Sequence, residues 1–554
     1  MSSVQPRAGL LAVLAVLLVS CGNQASDVHD RQAGNALLPG RDSIHFTIST
    51  RNPEAQKYFD QGLLLYYAFN LDQARRSFEH ASKIDPAAPM PYWGIALTLG
   101  PTYNGGVYVS PANEQAAFAA IQKAKKLAAR TAPDIERAYI DGLARRSTND
   151  PRPDLEALEH DYARSMRDLN QRYPDDPNAG TLYAESIMDF HPYRHWTHDG
   201  KPAENTLEIM STLEAVLKRS PEHIGANHYY IHLMESSAHP EKALASARLL
   251  ETAASGAGHL IHMASHIYMN MGDYGSAVRA DLVAMKADEP YLRSMNKNDF
   301  AYVMGYAQHN LLLLTRAAGM DGEFEAASHA ASYLEASAQQ HLGEGDGEDG
   351  YFVPKILVLT RFARWNEILE LGPPPEDLHG VTFFWHYARG CAFAAKGRAS
   401  QAEAERDAME TAYTTIVPSQ TFGMLFGDWS SEYTVAVYVL NARILAARGQ
   451  NRKAVESWQA AVLEQDQMEY HEPSGWYYPI RESLGAALLR NGQTAQAEKV
   501  FRGDLVQNPR NPRSLFGLMK TLEAQQRMVE AKSAQAEFRS AWKRADTILR
   551  IEDF

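Results

Sequence analysis

The chain has 554 residues, of which 45% are hydrophobic and 22% charged, so it can bury a large core and is not a disordered protein. Its length alone predicts three or four domains of about 150 residues each. The formal net charge of −13 leaves no basic excess to displace phosphate counterions, which excludes a protein that wraps nucleic acid. Two cysteines, Cys21 and Cys391, are too few for a disulfide framework or a cysteine-based zinc site.

Residues 1–20 have the pattern of a secretory signal, with one arginine and then about ten apolar residues, too few to span a bilayer. The signal ends in Leu-Val-Ser-Cys, which resembles the bacterial lipobox. The resemblance implies a lipid on Cys21 and an anchor in the bacterial envelope, and Gly22 favours the outer membrane, facing the periplasm. An ordinary cleaved signal with a chance cysteine is the alternative reading. We expect residues 21–50 to form a flexible tether.

The body of the chain carries a 34-residue repeat. Small residues at three positions of the unit let two antiparallel helices approach closely, and large residues at three others fill the gaps. Residues 55–88 match this pattern at Tyr58, Gly62, Leu65, Ala74, Phe78, Ala81 and Pro86. The pattern returns at 258–291, 435–468 and 478–511, with weaker copies near 89, 224, 383 and 512. It resembles the tetratricopeptide repeat (TPR) family, which implies an all-α solenoid of antiparallel helix pairs with some loop insertions.

Three interruptions divide this array. Pro101–Pro111 and His191–Pro202 are loops rich in aromatic residues and turn formers. The segment 343–350 is acidic and glycine-rich, and its spacing fits no known calcium loop, so we expect a flexible linker. The sequence therefore predicts an N-terminal helical array at 51–342 and a C-terminal one at 351–548.

Histidines are concentrated in one stretch of the N-terminal array. Ten of the 20 lie between His191 and His266, where even spacing would put about three. Two pairs stand out, each with i, i+4 spacing that places both imidazoles on one helix face. The pairs are offset from each other by one repeat of 34 residues, which puts them on neighbouring helices of the array. They are His228 with His232 and His262 with His266.

The TPR resemblance implies that these positions line the concave groove of the array. Four imidazoles on adjacent helices predict a site for one transition metal, and the all-nitrogen ligand set favours Zn, Cu or Fe. Glu235 is too far along its helix from His228 to share an ion with it, so we expect it to support the site or face a substrate. The alternative ligands are His259, His309 and His191. A hydrogen-bonded histidine network, or direct contact of the histidines with a ligand, would also explain the pattern.

The motifs of zincin proteases, α/β-hydrolases and P-loop proteins are absent, so no catalytic residue is assigned. The segments NHYYIHLMESSAHPEKA, GHLIHMASHIYMNMGDY and YYPIRESLGAALLRNGQTAQAE resemble a group of large bacterial TPR proteins, which supports one continuous architecture and supplies no reaction. Two functions are compatible with the sequence. The first is a lipid-anchored scaffold that binds a protein or peptide in the groove and carries the metal site there. The second is a metal-dependent enzyme with hydrolytic or oxidative activity.

Overall fold

A computed structural model describes residues 37–38, 44–104, 109–253, 256–294, 303–341, 348–375, 378–415, 429–472 and 475–554. The predicted signal peptide, Cys21 and most of the predicted tether and linker lie outside these ranges. Within them the chain forms helices and turns without any strand. No helix found there has the length and apolarity needed to cross a bilayer.

The described residues form 24 α-helices. In chain order they are α1 (Pro53–Tyr67), α2 (Leu71–Ile84), α3 (Met90–Leu99), α4 (Pro111–Thr131), α5 (Asp134–Leu143), α6 (Leu155–Arg172), α7 (Pro177–Met188), α8 (Thr206–Arg219), α9 (Ile224–Glu235), α10 (Leu244–Ala253), α11 (Gly258–Asn270), α12 (Tyr274–Ser294), α13 (Gln308–Asp321), α14 (Phe324–His341), α15 (Val353–Arg361), α16 (Trp365–Glu370), α17 (His379–Ala395), α18 (Ala399–Thr415), α19 (Trp429–Ala447), α20 (Asn451–Gln465), α21 (Arg481–Arg490), α22 (Thr494–Gln507), α23 (Pro512–Ala524) and α24 (Met528–Ala541). Short helical turns lie at Pro240–Ala243, Val303–Ala307, Glu348–Phe352 and Ile551–Asp553.

Four of these helices begin at a proline that follows a capping residue. The cap in each case accepts a hydrogen bond from a backbone N–H of the first turn. Proline suits the first helical position because its φ angle is already helical and no backbone donor is needed there. The capping residues of α1, α4, α7 and α23 are Asn52, Ser110, Asp176 and Asn511.

The helix pairs pack by the small-and-large pattern expected from the sequence. Phe78 on α2 lies against Gly62 on α1 and Gly94 on α3, where an added Cβ would come within 2.6 and 2.5 Å of its ring. A glycine is therefore needed on each side for the helices to approach this closely. The same arrangement recurs near the C-terminus in Gly485, Phe501 and Gly517. The packing confirms the expected all-α, TPR-like architecture.

The part of the chain from residue 348 onward packs against the part that ends at residue 341. Helix α14 contacts α15, and Arg544 forms an ion pair with Asp321 at 2.7 Å between Nε and Oδ2. The connection from α20 to α21 also reaches the N-terminal half, where Tyr470 donates a hydrogen bond to Glu235 at 2.9 Å. Residues from both halves therefore meet around the histidine-bearing helices.

Candidate metal centre

Three helices carry the histidines of the centre. Helix α9 bears His228 and His232, α11 bears the three histidines of residues 259–266, and α13 begins with Gln308 followed by His309. Helices α9 and α11 pack against each other, as the offset of one repeat predicted. The His223 side chain starts α9 by accepting a hydrogen bond from the Ala226 N–H at 3.1 Å.

His228, His232 and His259 form one compact group, here called the inner triad. Each offers a ligand atom, and these atoms lie within 4.8 Å of one another. The Nδ1 of His228 donates to the Tyr67 carbonyl at 2.5 Å, and the Nδ1 of His232 contacts Glu235 Oε1 at 2.9 Å. Because each Nδ1 faces an acceptor, the metal-binding form of each ring has its lone pair at Nε2, on the other side.

The nitrogens that remain in the inner triad have no hydrogen-bond partner within the described structure. They are the Nε2 atoms of His228 and His232 and both ring nitrogens of His259, all buried. Buried polar atoms are normally satisfied, since leaving one unpaired costs about 1–3 kcal/mol. Several such atoms on three facing imidazoles form a set of lone pairs that suits a metal ion.

His262, His266 and His309 form a second group, here called the outer triad, whose ligand atoms also lie within 4.8 Å of one another. The Nδ1 of His262 contacts Asp281 Oδ1 at 2.7 Å, and the Nδ1 of His266 contacts Glu235 Oε2 at 2.8 Å. The Nε2 atoms of His262 and His266 are 2.9 Å apart. The four histidines predicted to share one ion are thus divided between two neighbouring groups.

Two carboxylates connect these groups. Glu235 contacts His232 through one oxygen and His266 through the other, so it spans the two triads. Glu472, from the connection between α20 and α21, lies 3.5 Å from His232 Nδ1 and 3.8 Å from His266 Nε2. Tyr470 holds Glu235 from the same connection. Carboxylates behind metal-binding imidazoles, as Glu235 is behind His232 and His266, orient the rings and make them better ligands.

The centre lies inside the protein, whereas the sequence placed its histidines along the lining of a concave groove. None of the six triad histidines is more than 9% exposed. Aromatic rings enclose the inner triad: Phe69 lies 4.5 Å from His228 between ring centroids, Tyr103 lies 5.0 Å from His232, and Tyr306 lies 4.9 Å from His259. Loop and C-terminal residues therefore cover a surface that the repeat pattern alone leaves open.

Burial keeps most of the imidazoles neutral. It lowers the pKa of His309 to about 3, and it holds the pKa values of His228, His259 and His262 well below the ordinary value for histidine. Neighbouring imidazoles lower these pKa values further. Neutral imidazole is the form that binds metals. The four neutral side chains are His228, His259, His262 and His309.

The two histidines that touch carboxylates behave differently. Burial acts to lower the pKa of His232, but Glu472 and Glu235 outweigh it and raise that pKa to about 9. Burial is likewise outweighed at His266, whose pKa is raised by the same two carboxylates. Without a metal, these imidazoles carry the positive charge that balances the buried carboxylates. A divalent cation would supply that charge in their place.

The ligand set fits a transition metal. Three imidazoles with at least one further open position occur in catalytic zinc sites, and imidazole nitrogen also suits Cu and Fe. The partners of Nδ1 at His228 and His232 leave their Nε2 atoms available for bonds of about 2.0–2.1 Å. The residues present are therefore compatible with Zn, Cu or Fe at the inner triad.

Two cavities lie beside the centre. The smaller, of about 110 Å³, is lined by His266 and Glu472 among others. The larger, of about 1230 Å³, is lined by the loop around His191 and by the connection between α20 and α21. Residues of that connection and of α13 line both cavities, among them Arg316, Tyr470 and His471. His266 is therefore the triad histidine that borders these cavities.

The remaining sequence candidates lie elsewhere. His191 is exposed on the wall of the larger cavity and belongs to neither triad. Its neighbour His195 is buried and stacks on Tyr103 at 5.8 Å between ring centroids. Cys21 lies outside the described residues. Cys391 is buried, and burial raises the pKa of its thiol to about 11, which suits an unreactive packed side chain.

Several residues of the centre were not predicted. Asp281, Tyr470 and Glu472 carry no motif, and the last two lie in a part of the chain whose contact with α9 has no signal in the repeat pattern. Phe69 was not predicted either, because an aromatic residue after a helix is common in repeat proteins. Only the fold brings these side chains to the histidines.

No protein-family model matches the chain, and no curated protein matches it either. Solved structures similar to it include Naa15/Naa10 bound to HypK-THB, at 12% identity over 90% of each chain with a TM-score of 0.23. The P58(IPK) TPR domain has 14% identity over 79% of this chain and 99% of that one, with a TM-score of 0.21. The human IFIT1 dimer with m7Gppp-AAAA has 10% identity over 95% and 96%, with a TM-score of 0.32. At these scores the likenesses carry no conclusion about ligands or partners.

Proposed function

We propose that this protein is a transition-metal protein of the bacterial envelope, with an ion held by the inner triad inside a TPR-like helical array. The observation that carries the proposal is the set of unpaired buried nitrogens on His228, His232 and His259. Tyr67 and Glu235 hold two of the rings so that their lone pairs converge. A metal ion satisfies all three imidazoles at once, which hydrogen bonds among them do not do within the described structure.

The triad also supports the enzymatic alternative. An ion with three imidazole ligands and an open position supplies Lewis acidity for hydrolytic or oxidative chemistry when it is bound. The protein's own contribution is to fix the imidazoles, balance the charge through Glu235 and keep bulk water away with aromatic side chains. The reaction itself is not assigned.

The test is a metal-binding measurement on the purified protein. After removal of bound metal with a chelator, Zn²⁺ should bind tightly in a competition assay with a coloured indicator. His259→Ala should weaken binding at the inner triad at least about 100-fold, because it removes a ligand and not merely a supporting residue. His198→Ala, in an exposed loop, is the matched control and should leave binding unchanged. Equal affinity in His259→Ala and wild type would exclude the inner triad.

A partner-binding role is a second candidate, favoured by the cavity of about 1230 Å³ beside the centre. Its wall includes Trp196 and Tyr478 together with charged groups such as Arg194, a mixture that suits a peptide or a protein loop. A partner isolated from the native envelope should be retained by wild type and lost by Arg194→Glu with metal content unchanged. A partner retained by both would not bind in this cavity.

The lipid anchor belongs to the same proposal and depends on the lipobox pattern at Cys21. A lipid there would hold the protein at the outer membrane, facing the periplasm. Cells fed a labelled fatty acid should label wild type and not Cys21→Ser, and the variant should move to the soluble fraction. Wild-type protein without label would contradict the anchor.

A further inference from the structure

The outer triad holds two imidazole nitrogens unusually close together. His262 and His266 each direct Nδ1 at a carboxylate, at 2.7 Å to Asp281 and 2.8 Å to Glu235. Their Nε2 atoms are 2.9 Å apart, so without a metal one proton lies between them in a hydrogen bond. A metal ion that displaced this proton would meet lone pairs on both Nε2 atoms.

A metal ion matches this geometry. Two imidazole nitrogens with bonds of about 2.0–2.1 Å to one ion lie roughly 3 Å apart when the angle between the bonds is near 90°. A single shared proton would also join two nitrogens, but it needs no third ligand. His309 supplies a third, with a ligand atom within 4.8 Å of the other two and its ring centroid 4.8 Å from that of His262.

The surroundings provide a further ligand and a route of entry. Glu472 Oε2 lies 3.8 Å from His266 Nε2, on the side of the ring where the ion would be bound. His266 and Glu472 both line the cavity of about 110 Å³, which shares wall residues with the larger cavity. The inner triad is enclosed by aromatic rings, whereas the outer one reaches this space through His266.

We propose that His262, His266 and His309 bind a second transition-metal ion, so that the protein contains a two-metal centre. Glu235 joins its two halves by holding His232 of the inner triad and His266 of the outer triad. Of the two ions, the outer one would lie beside the cavities, where a molecule entering from solvent could reach it. The assignment of a transition metal rests on the proposed function. The outer site, however, has three ligands of its own and is tested separately.

The experiment is to count the metal ions bound by the full chain. The chelator-treated protein is titrated with Co²⁺ by calorimetry and absorption, and its metal content is measured by mass spectrometry after gel filtration. Wild type should bind about two ions, while His309→Ala and His259→Ala should each bind about one with different absorption spectra. His191→Ala, on the cavity wall but outside both triads, is the control and should bind two.

The outcomes separate the two proposals. One ion in wild type that is unaffected in His309→Ala would overturn the second site and leave the inner site standing. One ion that is lost in His309→Ala and kept in His259→Ala would overturn the inner site. No ion in wild type would overturn both. The wild-type count decides between one site and two even if a variant does not fold, which circular dichroism of each variant will reveal.

Discussion

At the scale of single residues, Glu235 has the most consequential position. Its two oxygens contact two imidazoles on different helices, and Tyr470 donates to the same carboxylate. A residue in this position sets the orientation of both rings without needing to touch an ion. The sequence predicted that Glu235 supports the site or faces a substrate, because it lies seven residues along the helix from His228.

Glu235→Gln tests this supporting role. The amide keeps the size of the side chain but removes the negative charge and one acceptor, so one ring loses its acceptor and both lose the charge that orients them. We expect metal affinity to fall about 10–100-fold, the range typical of residues that hold metal ligands. Glu222→Gln, an exposed glutamate just before α9, is the control. Unchanged affinity in Glu235→Gln, measured by competition with a metal indicator, would remove Glu235 from the centre.

The pKa of His232 predicts how metal binding depends on pH. Because that pKa is raised to about 9, the ring carries a proton at neutral pH that an incoming ion must displace. Affinity should therefore rise as pH increases from 6 to 8, by up to about tenfold per unit for each proton displaced. Dissociation constants for Zn²⁺ at pH 6, 7 and 8 check this, and a constant affinity would show that no such proton is released.

At the scale of helices, the sequence predicted which elements meet but not how their side chains are grouped. The i, i+4 spacing and the offset of 34 residues correctly placed the histidines on the adjacent helices α9 and α11. The structure divides the two pairs between two groups, each completed by a third imidazole, His259 for one and His309 for the other. Distances between side chains on packed helices depend on rotation about each helix axis, which spacing alone does not specify.

The packing of helix pairs gives a stability prediction. In Gly485→Ala the new Cβ would come within 2.6 Å of the buried Phe501 ring, so the helices must separate or the ring must move. We expect a loss of about 1–3 kcal/mol in the free energy of unfolding, as is usual for overpacked cores. Denaturant unfolding of the two proteins measures the difference.

Gly503→Ala is the matched control on the next helix. Nothing lies within 4 Å of the Cβ that it adds, so only the better helix propensity of alanine acts. That variant should gain about 0.5–1 kcal/mol. If both variants changed stability by the same amount and in the same direction, the close approach at Gly485 would not be what limits the packing.

At the scale of the whole molecule, the centre is assembled from distant parts of the chain. Tyr470 and Glu235 are 235 residues apart in the sequence, yet they share a hydrogen bond beside the triads. A repeat pattern describes contacts between neighbouring units, so it predicts nothing about the connection from α20 to α21 reaching back to α9. For the same reason, the expectation that the histidines line the concave groove did not include the loop and C-terminal residues that cover them.

Metal binding should therefore slow hydrogen exchange in both halves of the chain. Hydrogen exchange of the full chain with and without Zn²⁺ should slow in peptides that cover α9 and α11, and also in the connection that carries Tyr470 and Glu472. Helix α24, remote from the centre in the sequence, should not change. Protection limited to the three histidine-bearing helices would show that the C-terminal half takes no part in the centre.

The most direct test of the central claim is a crystal structure of the Zn²⁺-loaded protein, with anomalous diffraction recorded on both sides of the zinc absorption edge. We predict an anomalous peak about 2.0–2.1 Å from the Nε2 atoms of His228 and His232 and from one ring nitrogen of His259. Ordered water hydrogen-bonded to these nitrogens, with no anomalous peak among them, would contradict the account.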